Sequence, residues 1–128
     1  MAYKYQQIRI ISRLMFFSIF FIVTNSCNNN EKYSLHINQV ETEKLDTILF
    51  DSTVTVTGID ILIQGDIYGS YQIDFQDGDT YTLHKRFHNT NTSSFYTDWY
   101  SPKVIIRYQP DSNIHGESID ILLHPHVL

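Results

Sequence analysis

The strongest secondary-structure signal lies in residues 53–87, which read TVTVTGIDILIQGDIYGSYQIDFQDGDTYTLHKRF. Apolar and polar residues alternate here in short runs with a period of two, and this pattern predicts strands rather than helices. The alternation changes phase at Gly58, which predicts a β-bulge or a bend at that glycine. The tetrapeptide QDGD at 76–79 predicts a hairpin, because Asp-Gly supplies the positive φ angles of a two-residue type I′ turn.

The rest of the chain after residue 32 repeats this pattern of short alternating runs separated by turn residues. Strands spaced about 8–12 residues apart are typical of an all-β domain. We expect a small antiparallel β-sandwich of about seven or eight strands, with a small β-barrel as the alternative. The remaining expected strands are 33–37, 46–50, 67–75, 80–87, 95–100, 103–108 and 118–127, with turns at 64–66 and 111–116.

The N-terminus differs from the rest in charge and hydropathy. Its first 13 residues contain Lys4, Arg9 and Arg13 and no acid, and residues 14–23 then read LMFFSIFFIV. A ten-residue helix spans about 15 Å, half of a hydrocarbon core about 30 Å thick. A basic start followed by a short apolar run is therefore typical of a signal peptide, for which we expect a helix, rather than of a permanent span.

The segment Thr24-Asn25-Ser26-Cys27 resembles the lipobox of bacterial lipoproteins. This resemblance implies cleavage before Cys27, a diacylglycerol thioether on its sulfur and acylation of the new amino group. It divides the chain into a signal peptide (1–26), a lipidated tether (27–32) and the β-sandwich (33–128). Asn rather than Asp at position 28 implies the outer membrane, on either its periplasmic or its surface face. The alternatives are an ordinary cleavable signal with an incidental cysteine, and an uncleaved membrane helix.

The exported part is acidic and has no second cysteine. From Cys27 onward, six Lys or Arg stand against 14 Asp or Glu, a formal charge of −8 with histidine neutral. Such a surface repels phosphate backbones, so we expect no nucleic-acid partner. If Cys27 carries lipid, no thiol is left for a disulfide, and a core of about 100 residues must hold the fold.

Histidines and acids form patterns that metals use elsewhere. His84 and His88 lie four residues apart, and His124 and His126 would share one face of a strand. Either pair would supply two ligands, but spacing identifies no third, so we expect no metal. Asp74, Asp77 and Asp79 lack the spacing of a calcium loop, and the Asp-Gly hairpin already accounts for two of the three.

Aromatic residues between positions 95 and 100 form the candidate binding site. Tyr96, Trp99 and Tyr100 suit a platform for a sugar ring or a contact for a protein, and Asp98 and the amides of Asn89 and Asn91 suit ligand hydroxyls. The alternative is that Trp99 and Phe95 close one end of the sandwich.

Recognisable catalytic motifs are absent from the sequence, and nothing in it calls for a cofactor. We therefore expect a binding or accessory module for an envelope protein or a glycan, attached to the membrane through its lipid. The alternatives are a structural envelope component and an inhibitor-like protein, and an enzyme is the least favoured class.

Overall fold

The computed structural model describes residues 33–78 and 80–128. The predicted signal peptide, the lipobox-like segment and the predicted tether with Cys27 lie outside these residues. Within the described part of the chain, no helix has the length and apolar character needed to cross a membrane.

Eight strands account for most of the described chain, and their spacing agrees with the alternation in the sequence. They are β1 (Ser34–Ile37), β2 (Lys44–Leu49), β3 (Val56–Tyr68), β4 (Ser70–Gln76), β5 (Thr82–His88), β6 (Thr92–Asp98), β7 (Lys103–Pro110) and β8 (His115–Val127).

The strands form two four-stranded antiparallel sheets, so the predicted β-sandwich is confirmed and the barrel alternative is wrong. The first sheet has the order β1-β8-β3-β6 and the second has the order β2-β7-β4-β5. Inward-facing residues of both sheets form a core of mostly aliphatic and aromatic side chains, among them Ile61, Ile73, Ile106 and Ile121, none of which has measurable exposure. Each such side chain stabilises the fold by about 1.5–3 kcal/mol relative to exposure.

The chain passes from one sheet to the other at Gly69, not at the turn expected over 64–66. Strand β3 continues through Gly65, where the backbone of Ser118 on β8 approaches so closely that a Cβ atom would lie 2.7 Å from the Ser118 carbonyl oxygen. Gly69 has a φ of +98° and separates β3 from β4. The expected single strand over 67–75 was therefore wrong. The bulge expected at Gly58 is confirmed by a register shift between Val56 and Gly58.

The hairpin predicted around Gly78 is confirmed, but its turn is longer than two residues. Strands β4 and β5 pair from Gln76 and Thr82 onward, and the Asp77 N–H donates to the carbonyl oxygen of Tyr81 (3.1 Å). The Asp77 carboxylate accepts the Tyr81 N–H (2.9 Å) and the Thr80 hydroxyl (3.0 Å), and this extra capping supports the wider loop.

The antiparallel registers define the two ends of the sandwich. One end, called the Trp99 end below, contains the loops 50–55, 77–81 and 99–102 and the C-terminus. Loops 38–43, 89–91 and 111–114 lie at the other, called the opposite end.

Candidate functional site

A cleft of about 360 Å³ opens at the Trp99 end. It lies where the β4–β5 hairpin meets the end of β6 and the loop that leads into β7. Its lining combines aromatic rings with two carboxylates and consists of Asp77, Tyr81, Thr97, Asp98, Trp99 and Tyr100.

Trp99 forms the buried part of this cleft. Its side chain is 2% exposed, its indole N–H donates to the Lys103 carbonyl oxygen (3.0 Å), and its backbone N–H donates to the Thr57 carbonyl oxygen (3.3 Å). These bonds satisfy the polar atoms that a buried tryptophan carries. The indole therefore both closes the end of the sandwich and supplies the apolar base of the cleft.

Two exposed tyrosines border the cleft. The Tyr81 ring meets the Trp99 ring edge to face, with centroids 5.8 Å apart, and keeps 43% of its surface exposed. Tyr100 is 78% exposed, so most of its side chain packs against nothing in the fold. Aromatic faces held at the mouth of a cleft are available to a ligand without rearrangement of the fold.

Tyr96 lies beside the cleft rather than in it. Its hydroxyl donates to the Asp98 carboxylate (3.0 Å), and this hydrogen bond raises the pKa of Tyr96 above its usual value. The ring covers Gly58 on the neighbouring strand and meets the His126 ring edge to face at 5.4 Å. Of the three predicted binding residues, Trp99 and Tyr100 line the cleft, whereas Tyr96 reaches it only through Asp98.

The two carboxylates of the cleft have different hydrogen-bond partners. Asp77 accepts the Tyr81 N–H, and this bond is the main reason its pKa lies below 3.8. Asp98 Oδ1 accepts the Tyr96 hydroxyl. Asp77 thus holds the hairpin, and Asp98 is the carboxylate better placed for a ligand hydroxyl.

The expected contribution of Asn89 and Asn91 to this site is wrong. Both lie at the opposite end, because β6 starts there and reaches the cleft only at Asp98. The Asn89 Oδ1 accepts the Gly69 N–H (2.8 Å), and the Asn91 Oδ1 accepts the Ile67 N–H (3.5 Å). The two amides brace the turn between the sheets.

His124 lines a broad, shallow depression of about 590 Å³ on the outer face of the first sheet, and His126 lies two residues farther along the same face of β8. Their ring centroids lie 6.0 Å apart, and His126 Nε2 is 2.6 Å from Asp60 Oδ2. The described residues contain no group of three side chains suited to a metal ion.

The other histidine pair is divided between separate partners on β4. His84 Nδ1 lies 2.7 Å from Asp74 Oδ1, and His88 Nδ1 lies 2.7 Å from Ser70 Oγ. The cross-strand register puts each histidine opposite its own partner.

Besides Thr97, sequence reasoning missed two cleft residues that lie on the β4–β5 hairpin, Tyr81 and Asp77. The Asp-Gly signal located their hairpin, but nothing local places that hairpin beside Trp99, some 20 residues farther along the chain. Comparison of the chain with protein-family models and with curated proteins finds no match.

Proposed function

We propose that this chain is an exported lipoprotein, anchored through Cys27 to a bacterial outer membrane, that binds an envelope protein or a glycan without catalysing a reaction. The observation that carries the binding role is the cleft itself, in which exposed Tyr81 and Tyr100 surround a buried tryptophan beside the Asp98 carboxylate. The lipobox-like segment ending at Cys27 supports the anchor.

A sugar ring fits this arrangement better than a flat protein contact does. Its C–H faces pack on aromatic rings, and its hydroxyls donate to a carboxylate such as Asp98. A volume of about 360 Å³ is at the small end of ligand sites and suits one or two rings. We therefore favour a glycan as the ligand.

Trp99 provides the direct test, because it is the sole tryptophan in the sequence and forms the base of the cleft. Oligosaccharides released from bacterial envelopes should shift or quench its fluorescence in a saturable way. Tyr100→Ala should weaken that binding at least tenfold while leaving the circular dichroism spectrum unchanged. The matched control is Tyr68→Ala, since Tyr68 is 50% exposed at the opposite end of the same fold.

A glycan role fails if no oligosaccharide changes the emission, or if Tyr100→Ala binds as tightly as the parent protein. Crosslinking to an envelope protein that Tyr100→Ala abolishes and Tyr68→Ala preserves would favour a protein ligand instead. The anchor is tested separately by mass spectrometry of the mature chain, which should begin with a lipid-modified Cys27, and by Cys27→Ser, which should release the protein from membranes.

A further inference from the structure

Exposed apolar side chains are concentrated at the Trp99 end. The described residues include eight large hydrophobic side chains with high exposure, and five of them lie at this end: Leu49 (68%), Tyr81 (43%), Tyr100 (78%), Val127 (49%) and Leu128 (90%). They come from four separate segments of the chain, so no single loop explains the cluster. Apolar surface collected from several segments at one end of a domain indicates a contact surface.

The chain enters the sandwich in a direction that points back toward this end. The Tyr33 carbonyl oxygen accepts the Leu123 N–H (2.8 Å), and β1 then runs antiparallel to β8 toward the opposite end. The Tyr33 ring packs edge to face against Phe50, with centroids 5.1 Å apart. Phe50 begins a loop of the Trp99 end.

The reach of the tether decides which end of the sandwich can meet a bilayer. Six residue steps separate Cys27 from Tyr33, and an extended chain covers at most about 22 Å in six steps. From Leu123, which lies level with Tyr33, eight residues of β8 lead to His115 at the opposite end, a length of about 27 Å. In the other direction only four residues, about 14 Å, lead to Val127. The tether is too short to carry the opposite end onto the membrane, but it reaches past the Trp99 end.

We propose that the Trp99 end is a membrane-docking surface, with Leu49, Tyr81, Tyr100 and Leu128 at the lipid–water interface beside the anchored Cys27. This inference rests on the lipid anchor proposed above. Tyrosine is enriched at that interface because its ring is apolar and its hydroxyl is polar. The acyl chains retain the protein, and this surface fixes its orientation.

The charge of this end selects the kind of bilayer. Three carboxylates lie at the Trp99 end, those of Asp51, Asp77 and Asp98. Among the described residues, Lys103 is the cation that lies near them. These carboxylates repel anionic lipids and attract the ammonium group of phosphatidylethanolamine. The surface therefore suits a zwitterionic leaflet. The cleft would then open into the headgroup layer, where its ligand would be carried by a lipid.

The test uses the complete lipidated protein in vesicles of phosphatidylethanolamine and phosphatidylcholine. An introduced cysteine is the sole free thiol, since lipid occupies Cys27. Fluorophores are attached at Ser52→Cys, at the Trp99 end, or at Thr42→Cys, at the opposite end; both positions are exposed. A quencher carried by the lipid headgroups should reduce the emission at position 52 at least threefold more than at position 42.

Leu49 and Leu45 provide a matched pair of substitutions. They lie on one face of β2, are 68% and 57% exposed, and stand four residues apart, with Leu49 at the Trp99 end. Leu49→Ser should lower the quenching at position 52, whereas Leu45→Ser should not. Replacing a third of the lipid by phosphatidylglycerol should lower the quenching at position 52 in the parent protein.

The outcomes separate docking from anchoring. Equal quenching at positions 52 and 42 in protein that floats with the vesicles overturns docking and leaves the anchor intact. Equal effects of Leu49→Ser and Leu45→Ser also overturn it. Protein that does not float with the vesicles overturns the anchor, and the docking surface with it. None of these results depends on whether the cleft binds a glycan.

Discussion

The Tyr108 hydroxyl donates a 2.6 Å hydrogen bond to the backbone carbonyl oxygen of Val40, and neither residue has measurable exposure. The bond ties β7 to the loop by which the chain crosses from β1 in one sheet to β2 in the other. Beside it, the Tyr71 ring lies 5.8 Å from the Tyr108 ring, and the Tyr71 hydroxyl donates to the Thr90 carbonyl oxygen (3.1 Å). Two buried tyrosines thus fasten two loops of the opposite end to the core.

Removing the Tyr108 hydroxyl should destabilise the sandwich. In Tyr108→Phe the Val40 carbonyl oxygen stays buried and loses its donor, which costs about 1–3 kcal/mol. Urea denaturation should show a lower midpoint with an unchanged slope. Tyr68→Phe is the control, because Tyr68 is half exposed and should change the midpoint little. Equal stability of Tyr108→Phe and the parent protein would show that this bond contributes nothing.

Alkaline pH should weaken the fold through the same two tyrosines. Burial raises the pKa of Tyr71 from 10.0 to about 12 and raises the pKa of Tyr108 as well. Because the folded state holds these protons more tightly than the unfolded state, its stability is retained below pH 10 and falls as the pH rises toward 12. Each tyrosine should contribute at most about 1.4 kcal/mol per pH unit to this fall.

The alkaline effect is measured by urea denaturation between pH 8 and pH 11.5. The parent protein should lose stability above pH 10, and the double variant Tyr71→Phe, Tyr108→Phe should lose less with pH, even though it starts from a lower value. A parent curve that stays flat to pH 11.5 would contradict the prediction.

Gly69 should tolerate a side chain worse than Gly78. Both have positive φ, +98° and +131°, so alanine costs backbone strain of about 1–3 kcal/mol at either position. At Gly69 the added Cβ would also collide with the backbone carbonyl of Asn113, which adds about 1–3 kcal/mol. At Gly78 it would meet only the flexible end of the Lys103 side chain. In thermal denaturation, Gly69→Ala should therefore have a lower melting temperature than Gly78→Ala. The reverse order would refute the collision at Gly69.

Asp77 should stabilise the hairpin in a pH-dependent way. Its carboxylate accepts the backbone N–H of Tyr81, and this bond lowers its pKa below 3.8, so its contribution is present above that pH and is lost in acid. Asp77→Ala should lower the melting temperature at pH 7 and by a smaller margin at pH 3. Asp66→Ala removes the same charge at an exposed position of β3 and serves as the control. An Asp77→Ala deficit that does not shrink in acid would rule out the carboxylate as its cause.

Local sequence signals predicted the elements that depend on neighbouring residues. The period-two alternation identified most strands, the phase change at Gly58 identified the bulge, and Asp-Gly located the β4–β5 hairpin. The turn expected over 64–66 was wrong. Gly65 instead permits the close approach of Ser118 on β8, a residue distant in sequence. A glycine needed for a turn and a glycine needed for close packing look the same in a sequence.

The candidate site shows the same division. Its aromatic residues could be predicted from the sequence, and two of the three predicted residues, Trp99 and Tyr100, line the cleft. Tyr96 lies outside it, because its ring lies on the outer face of the first sheet, over Gly58. Asn89 and Asn91 lie at the other end of the sandwich, since they precede β6 and the cleft follows it, and the strand spans the distance between the two ends.

Side-chain alternation along the backbone is a local property, and so the strands and the all-β class follow directly from the order of residues. The assignment of β3 and β4 to different sheets, and the meeting of Tyr81 with Trp99, depend on which faces are buried together when the two sheets pack. That choice minimises exposed apolar surface over the whole chain, and no short segment contains the information needed to make it.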